Sequence, residues 1–132
     1  MCIRDRSTTG AAIAVGQVIP EMAGKFDGVA VRVPVITGSM IDVTFVAKKN
    51  TTVAEVNAAF EKAANNPRWQ KTFTVTKEPI VSSDILGSKY ASIADLSWTK
   101  VVGGNLVKVM AWYDNEMGYA HTLVEHVLKA GR

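Results

Sequence analysis

The stretch Ala111-Trp112-Tyr113-Asp114-Asn115-Glu116-Met117-Gly118-Tyr119 reads as the passage from a strand into a helix. Upstream of it, Val107, Val109, Ala111 and Tyr113 alternate with Leu106, Lys108, Met110 and Trp112, the period-2 pattern of a strand. Downstream, Met117, Ala120, Val124, Val127 and Leu128 form an apolar stripe at helical spacing, and Gly131 lies beyond it. A helix is therefore expected from the Asp114 region to about position 129. Asp114 and Asn115 are both able to cap it, and Glu116 suits its electropositive first turn. Two aromatics, an acid and an amide at such a junction aim polar groups at something, or else simply cap a helix docked on a sheet.

Working outward, Gly103-Gly104 makes a tight turn between this strand and a preceding one over 90–102, which is expected to be bent and to pair as a hairpin. Residues 72–76 read as a short strand closed by Lys77-Glu78-Pro79. Thr52 and Glu55 form a capping box for a helix to about position 65, with Val53, Val56, Phe60, Ala63 and Ala64 as its core stripe. Residues 40–47 and 28–35 alternate as strands, and their short connection predicts antiparallel neighbours. In the earlier one, Val29, Val31, Val33 and Val35 face one way, Ala30 and Arg32 the other. Thr9 and Gly10 open a helix to about position 19, its inward face Ala11, Ala12, Val15, Val18 and Ile19, with Pro20 limiting its extension. The expected fold class is α+β, a mostly antiparallel sheet of about five or six strands with about three helices on one face.

The composition is that of an ordinary globular chain: 132 residues, 48% hydrophobic and 20% charged. The net charge of +3 is too small and too dispersed to argue for nucleic acid, so no nucleic-acid partner is expected. No apolar run approaches the roughly 18 residues a spanning helix needs, and no membrane partner is expected. Residues 1–6 read as a non-native leader, without the apolar core of a secretory signal, and residues 7–132 as the domain. Cys2, the single cysteine, lies in that leader; one thiol excludes an internal disulfide and fits a reducing compartment. His121 and His126 are not at the i, i+4 spacing of a metal pair, and no metal site is expected.

Two places offer groups suited to an anion. A helix start with a hydroxyl, Thr9, beside Gly10 is a plain N-cap or a phosphate cradle. Arg32, on the less apolar side of a valine-rich strand, is a solvated side chain or a bidentate phosphate ligand.

Trp112-Tyr113-Asp114-Asn115-Glu116-Met117-Gly118-Tyr119 resembles the W-Y-D-N-E-x-G-Y signature of phosphorylating glyceraldehyde-3-phosphate dehydrogenases. In the same order as in that family, Ser7-Thr8-Thr9-Gly10-Ala11-Ala12 resembles its S/T-T-G-A-A segment, Arg32-Val33-Pro34 its R-V-P strand and Val81-Ser82-Ser83-Asp84 its V-S-S-D segment. The resemblance covers the chain after position 6 and is to the C-terminal part of the catalytic domain. It implies that Thr9 and Gly10 line a pocket for inorganic phosphate and that Arg32 reaches the substrate's phosphate. It also implies that Asn115 orients the nicotinamide and that Tyr119 packs beside it.

The family's catalytic cysteine segment, catalytic histidine and dinucleotide-binding domain have no counterpart in these residues, so the chain is expected to be a fragment inactive alone, truncated at its N-terminus. The resemblance further implies a glycolytic, cytoplasmic oxidoreductase that converts glyceraldehyde 3-phosphate and inorganic phosphate to 1,3-bisphosphoglycerate. NAD or NADP would be bound mainly by the missing N-terminal domain, and the intact protein would be a homotetramer. An erythrose-4-phosphate dehydrogenase is the alternative within the family, and a stand-alone module binding a phosphate ligand or a protein is the alternative outside it.

Overall fold

The computed structural model describes residues 6–131, and the chain divides into two compact units after Val35. Most of residues 1–6, with Cys2, lie outside the described residues; Arg6 is the first residue of a strand.

In the first unit, β1 (Arg6–Thr8) pairs antiparallel with β2 (Val29–Val31), and α1 (Gly10–Val18) follows β1 directly. Thr9 caps α1 as expected: its hydroxyl accepts from the Ala11 N–H at 3.2 Å. A one-turn 3-10 segment, Pro20–Met22, follows, because proline suits a first helical position but has no N–H to extend the helix behind it. Only Ala12, Val15 and Gly16 are half-buried along α1, and Val18, expected to face inward, is 80% exposed. The strand expected over 28–35 is confined to Val29–Val31, and its valines at 29, 31, 33 and 35 are exposed.

The second unit holds β3 (Ser39–Val46), α2 (Val53–Ala64), β4 (Phe73–Thr76), β5 (Ser92–Val102), β6 (Leu106–Tyr113) and α3 (Met117–Ala130). Its four-stranded sheet has the order β3-β6-β5-β4, antiparallel except for the β4–β5 pair. The chain is thus α+β with three helices and a mostly antiparallel sheet, as the pattern predicts, but the single sheet of about five or six strands is corrected to a four-stranded sheet and a separate two-stranded one. The expected pairing of the strands at 28–35 and 40–47 is corrected: β2 joins β1, and β3 joins β6. Short separation favours a hairpin only when both strands continue to a tight connection, and β2 ends at Val31, leaving residues 32–38 between it and the start of β3 at Ser39.

β5 and β6 form the hairpin predicted around Gly103-Gly104, both glycines having positive φ (59° and 80°). The predicted bend in β5 is a register shift between Asp95 and Lys100. Its cause is local: the Asp95 carboxylate, 2% exposed, accepts from the Ser97 N–H and hydroxyl and from Trp112 Nε1 (3.1, 2.6 and 3.0 Å). Ile85, Ala94, Leu96 and Val107 are the buried apolar centre. The capping box is formed, Thr52 and Glu55 exchanging hydrogen bonds. α2 lies on β4 and β5, with Phe60 and Phe73 at 6.1 Å between centroids and Asn57 Nδ2 donating to the Leu96 carbonyl at 3.1 Å.

The last helix is turned differently from the sequence expectation. Its inner side is Gly118, His121, Thr122 and Glu125, whereas Met117, Ala120, Val124, Val127 and Leu128 are exposed. The reason is the close approach of Gly118 to Tyr90-Ala91, which only a residue without a side chain permits. Among the described residues, no helix is long and apolar enough to cross a membrane.

Candidate functional site

The strand-to-helix junction is built by Asp114 and Asn115, which act in opposite directions. Asp114, 4% exposed, uses one carboxylate oxygen to accept from the N–H groups of Glu116 and Met117 (2.8 and 2.9 Å) and the other to accept from Gly87 N–H at 2.8 Å. It thereby holds the turn that leads into α3 and ties it to the loop after the 3-10 turn Ser82–Ile85. The Met117 amide above all, then those of Gly87 and Glu116, hold its carboxyl below the usual aspartate range.

Asn115 does not cap the helix. It turns back to the start of β3, where Oδ1 accepts from Gly38 N–H at 3.2 Å and from the Ser39 hydroxyl at 3.3 Å. Two donors converge on this end of the carboxamide, which identifies it as the oxygen. Nδ2 is left as the free end, with no hydrogen bond among the described residues. An exposed amide donor fixed at its oxygen is suited to meet a carbonyl on a ligand.

Gly38, at φ +91°, makes this possible: a side chain there would meet Ile85 Cδ1 at 3.1 Å. Neither Gly38 nor Ser39 is a candidate from sequence reading, which treats 36–39 as a connection. The signal lies in the β3–β6 register: Ser39 stands opposite Tyr113, two residues before Asn115.

Tyr119, on the first turn of α3, is 69% exposed and stands four residues after Asn115. A ring in that position is free to cover a flat ligand. His121 and His126 lie on α3, and among the described residues no group of three or more His, Cys, Asp or Glu side chains could hold a metal ion.

In the first unit, Thr9 and Gly10 stand together at the start of α1, and Arg32 follows the end of β2. Thr8 is opposite Val29 and Arg6 opposite Val31, so the ladder carries Thr9 and Arg32 to its opposite ends. They present two separate cationic or amide-rich positions rather than one. Thr9 spends an oxygen lone pair on Ala11 N–H and retains its O–H as a donor. A Cβ on Gly10 would meet nothing within 4 Å, so packing inside the chain does not require glycine there. Arg32 is exposed and has no hydrogen bond or ion pair among the described residues. Thr9, Gly10 and Arg32 thus belong to the first unit, and Asn115 and Tyr119 to the second.

The family described as glyceraldehyde 3-phosphate dehydrogenase, C-terminal domain, matches residues 5–115. Glyceraldehyde-3-phosphate dehydrogenase of Clostridium acetobutylicum is 50% identical over 121 residues, covering 89% of this chain and 35% of the relative. The enzyme of the same name from Clostridium pasteurianum matches equally, at 50% identity over 89% of this chain and 35% of its own length. That of Streptococcus pyogenes serotype M1 is also 50% identical, over 89% of this chain and 34% of its own length. The chain spans about a third of the length of these curated relatives.

Proposed function

The chain belongs to the family of glyceraldehyde 3-phosphate dehydrogenase C-terminal domains, and we propose that it serves as the C-terminal part of the catalytic domain of a phosphorylating, NAD(P)-dependent enzyme of that kind. The observation that carries this reading is the Asn115 carboxamide, held at its oxygen by Gly38 and Ser39 with Nδ2 left to donate. That geometry fits the carboxamide oxygen of a nicotinamide, and the exposed Tyr119 ring fits its edge or face.

Bound NAD or NADP supplies the acceptor for a hydride. This chain's residues supply orientation and charge. Asn115 fixes which face of the nicotinamide meets the substrate, and Asp114 keeps Asn115 in place by holding the first turn of α3. Arg32 neutralises the phosphate of the aldehyde substrate. Thr9 O–H and the amide of Gly10 bind inorganic phosphate at the start of α1, where the helix dipole favours an anion. The separation of these two positions by the β1–β2 ladder suits a reaction with two distinct phosphates, one on glyceraldehyde 3-phosphate and one that ends in 1,3-bisphosphoglycerate. The nucleophilic cysteine, the general base and most of the cofactor site come from polypeptide outside these residues. The intact protein works as a cytoplasmic homotetramer in glycolysis.

The test is a hybrid enzyme in which residues 7–131 replace the matching third of the Clostridium acetobutylicum relative. Phosphate-dependent reduction of NAD with glyceraldehyde 3-phosphate, lost on Arg32→Ala, is expected. A folded hybrid that binds NAD but shows no such reduction overturns the reading.

A further inference from the structure

Asp27-Gly28 is the one place in the sequence where an aspartate or asparagine precedes a glycine. It stands after the turn that follows Pro20–Met22 and directly before β2, outside any helix or strand, and both residues are exposed. There the Gly28 N–H donates to Oδ1 of Asp27 at 2.7 Å. The side chain is folded back on the peptide bond that follows it, an arrangement aspartate adopts readily in irregular backbone. Its Cγ, one covalent bond from that oxygen, is thereby held beside the Gly28 nitrogen. A Cβ on Gly28 would meet nothing within 4 Å, so no neighbour obstructs movement of this peptide unit.

The other aspartates with partners among the described residues are engaged elsewhere. Asp42 pairs with Lys108, Asp84 accepts from the Val81 N–H, Asp95 from Ser97 and Trp112, and Asp114 from Gly87, Glu116 and Met117. Valine, isoleucine, leucine and asparagine follow them in turn, each placing a side chain beside the peptide nitrogen.

From this geometry we propose that Asp27-Gly28 is a site of self-modification, at which the aspartyl linkage closes to a succinimide and reopens in part as isoaspartate. The Gly28 nitrogen attacks Cγ of the protonated carboxyl. The N–Cγ bond forms, the Cγ–OH bond breaks, and water leaves with the hydroxyl oxygen and the amide proton. Solvent water then opens the ring. Attack at Cγ restores aspartate, whereas attack at the main-chain carbonyl carbon of Asp27 breaks its bond to Gly28 and leaves the chain running through Cβ. Nothing is oxidised or reduced, and water is the only co-reactant. The fold contributes proximity, by holding the electrophilic carbon at the nucleophile. The isoaspartyl product adds a methylene to the main chain and frees a carboxylate directly before β2. Val29, the first residue of β2, pairs with Thr8, so the β1–β2 ladder takes up the displacement. On the function proposed above, Arg32 beyond the end of β2 would move with it; the readouts below do not depend on that function.

The experiment holds the 132-residue chain folded for several weeks in heavy-oxygen water, then digests it with trypsin in ordinary water. Cleavage after Lys25 and Arg32 releases the peptide Phe26–Arg32. That peptide is expected to gain a heavy oxygen and to separate into two forms. Only the new form should accept a methyl group from S-adenosylmethionine in the presence of a methyltransferase specific for isoaspartyl carboxyls. The folded chain should react at least as fast as the free peptide of the same sequence. Asp27→Asn, which loses ammonia in place of water, should react faster and Gly28→Ala slower. Asp27→Glu should lose the reaction, because its larger ring closes far less readily, and it keeps the comparison intact should Gly28→Ala fail to fold. Amide hydrogen exchange across Val29–Val31 should quicken in the converted wild type and not in Asp27→Glu aged alongside it. A wild-type peptide that stays unlabelled overturns the proposal, as does labelling much slower in the folded chain than in the free peptide. Equal labelling in wild type and Asp27→Glu overturns it as well, and unchanged exchange in converted chains overturns its effect on the ladder.

Discussion

The hydroxyl of Ser39 donates to Oδ1 of Asn115 at 3.3 Å, joining the first residue of β3 to the junction between β6 and α3 across 76 positions of sequence. The bond is exposed, so its worth to the fold is small, and its consequence is orientation. Ser39→Ala is expected to cost less than about 1 kcal/mol in urea unfolding. The same variant should sharpen or shift the Asn115 side-chain amide signals in an NMR spectrum, because rotation of the carboxamide is freed.

Asn115→Asp keeps an acceptor for Gly38 and Ser39 but removes the Nδ2 donor. The isolated chain should fold normally by circular dichroism. In the hybrid enzyme kcat/KM with NAD should fall by about 100-fold, the scale of a misplaced reactant. An unchanged kcat/KM would remove Asn115 from the site.

Gly118 sits where an added Cβ would lie 2.8 Å from the Tyr90 carbonyl oxygen and 3.4 Å from Ala91 Cα. Helix propensity alone would favour alanine by about 1 kcal/mol. Because the obstacle is backbone, the clash should win, and Gly118→Ala is expected to destabilise the chain by about 1–3 kcal/mol in denaturant melts.

Stability should decline on acidification because the Asp114, Glu55 and Glu125 carboxyls all titrate below their ordinary values in the folded chain. The first causes are the Met117 amide for Asp114, the Thr52 amide for Glu55 and the Lys71 ammonium for Glu125. A depressed folded pKa stabilises above the unfolded value and is lost as pH falls through the folded one. Thermal midpoints should therefore be level above about pH 5 and drop below about pH 4. Asp114→Asn should lower the midpoint at neutral pH and flatten that drop.

Arg32→Ala should leave the melting of the isolated chain within about 0.5 kcal/mol of wild type, since Arg32 is exposed and unpaired among the described residues. Together with lost activity in the hybrid, that result would separate a ligand contact from a structural one.

The features legible along the chain are local or repetitive. The capping box at Thr52 and Glu55, the Thr9 cap, the Gly103-Gly104 turn and the alternation of β6 each depend on neighbours a few residues apart, and each is formed. The family was likewise legible, because its signature is a contiguous string. Tertiary structure alone decided which strands are partners and which faces are covered. Alternation states that a strand has two sides but not which neighbour it meets, so β2 was free to join β1 and β3 to join β6. The apolar stripe of α3 gave no orientation, since the contact that turns it is made by Gly118, a residue with no side chain to register in a hydrophobic pattern. Asp114 and Asn115 were equivalent caps by residue type. They diverge only because Gly87 reaches one while Gly38 and Ser39 reach the other, and those long-range donors are set by folding.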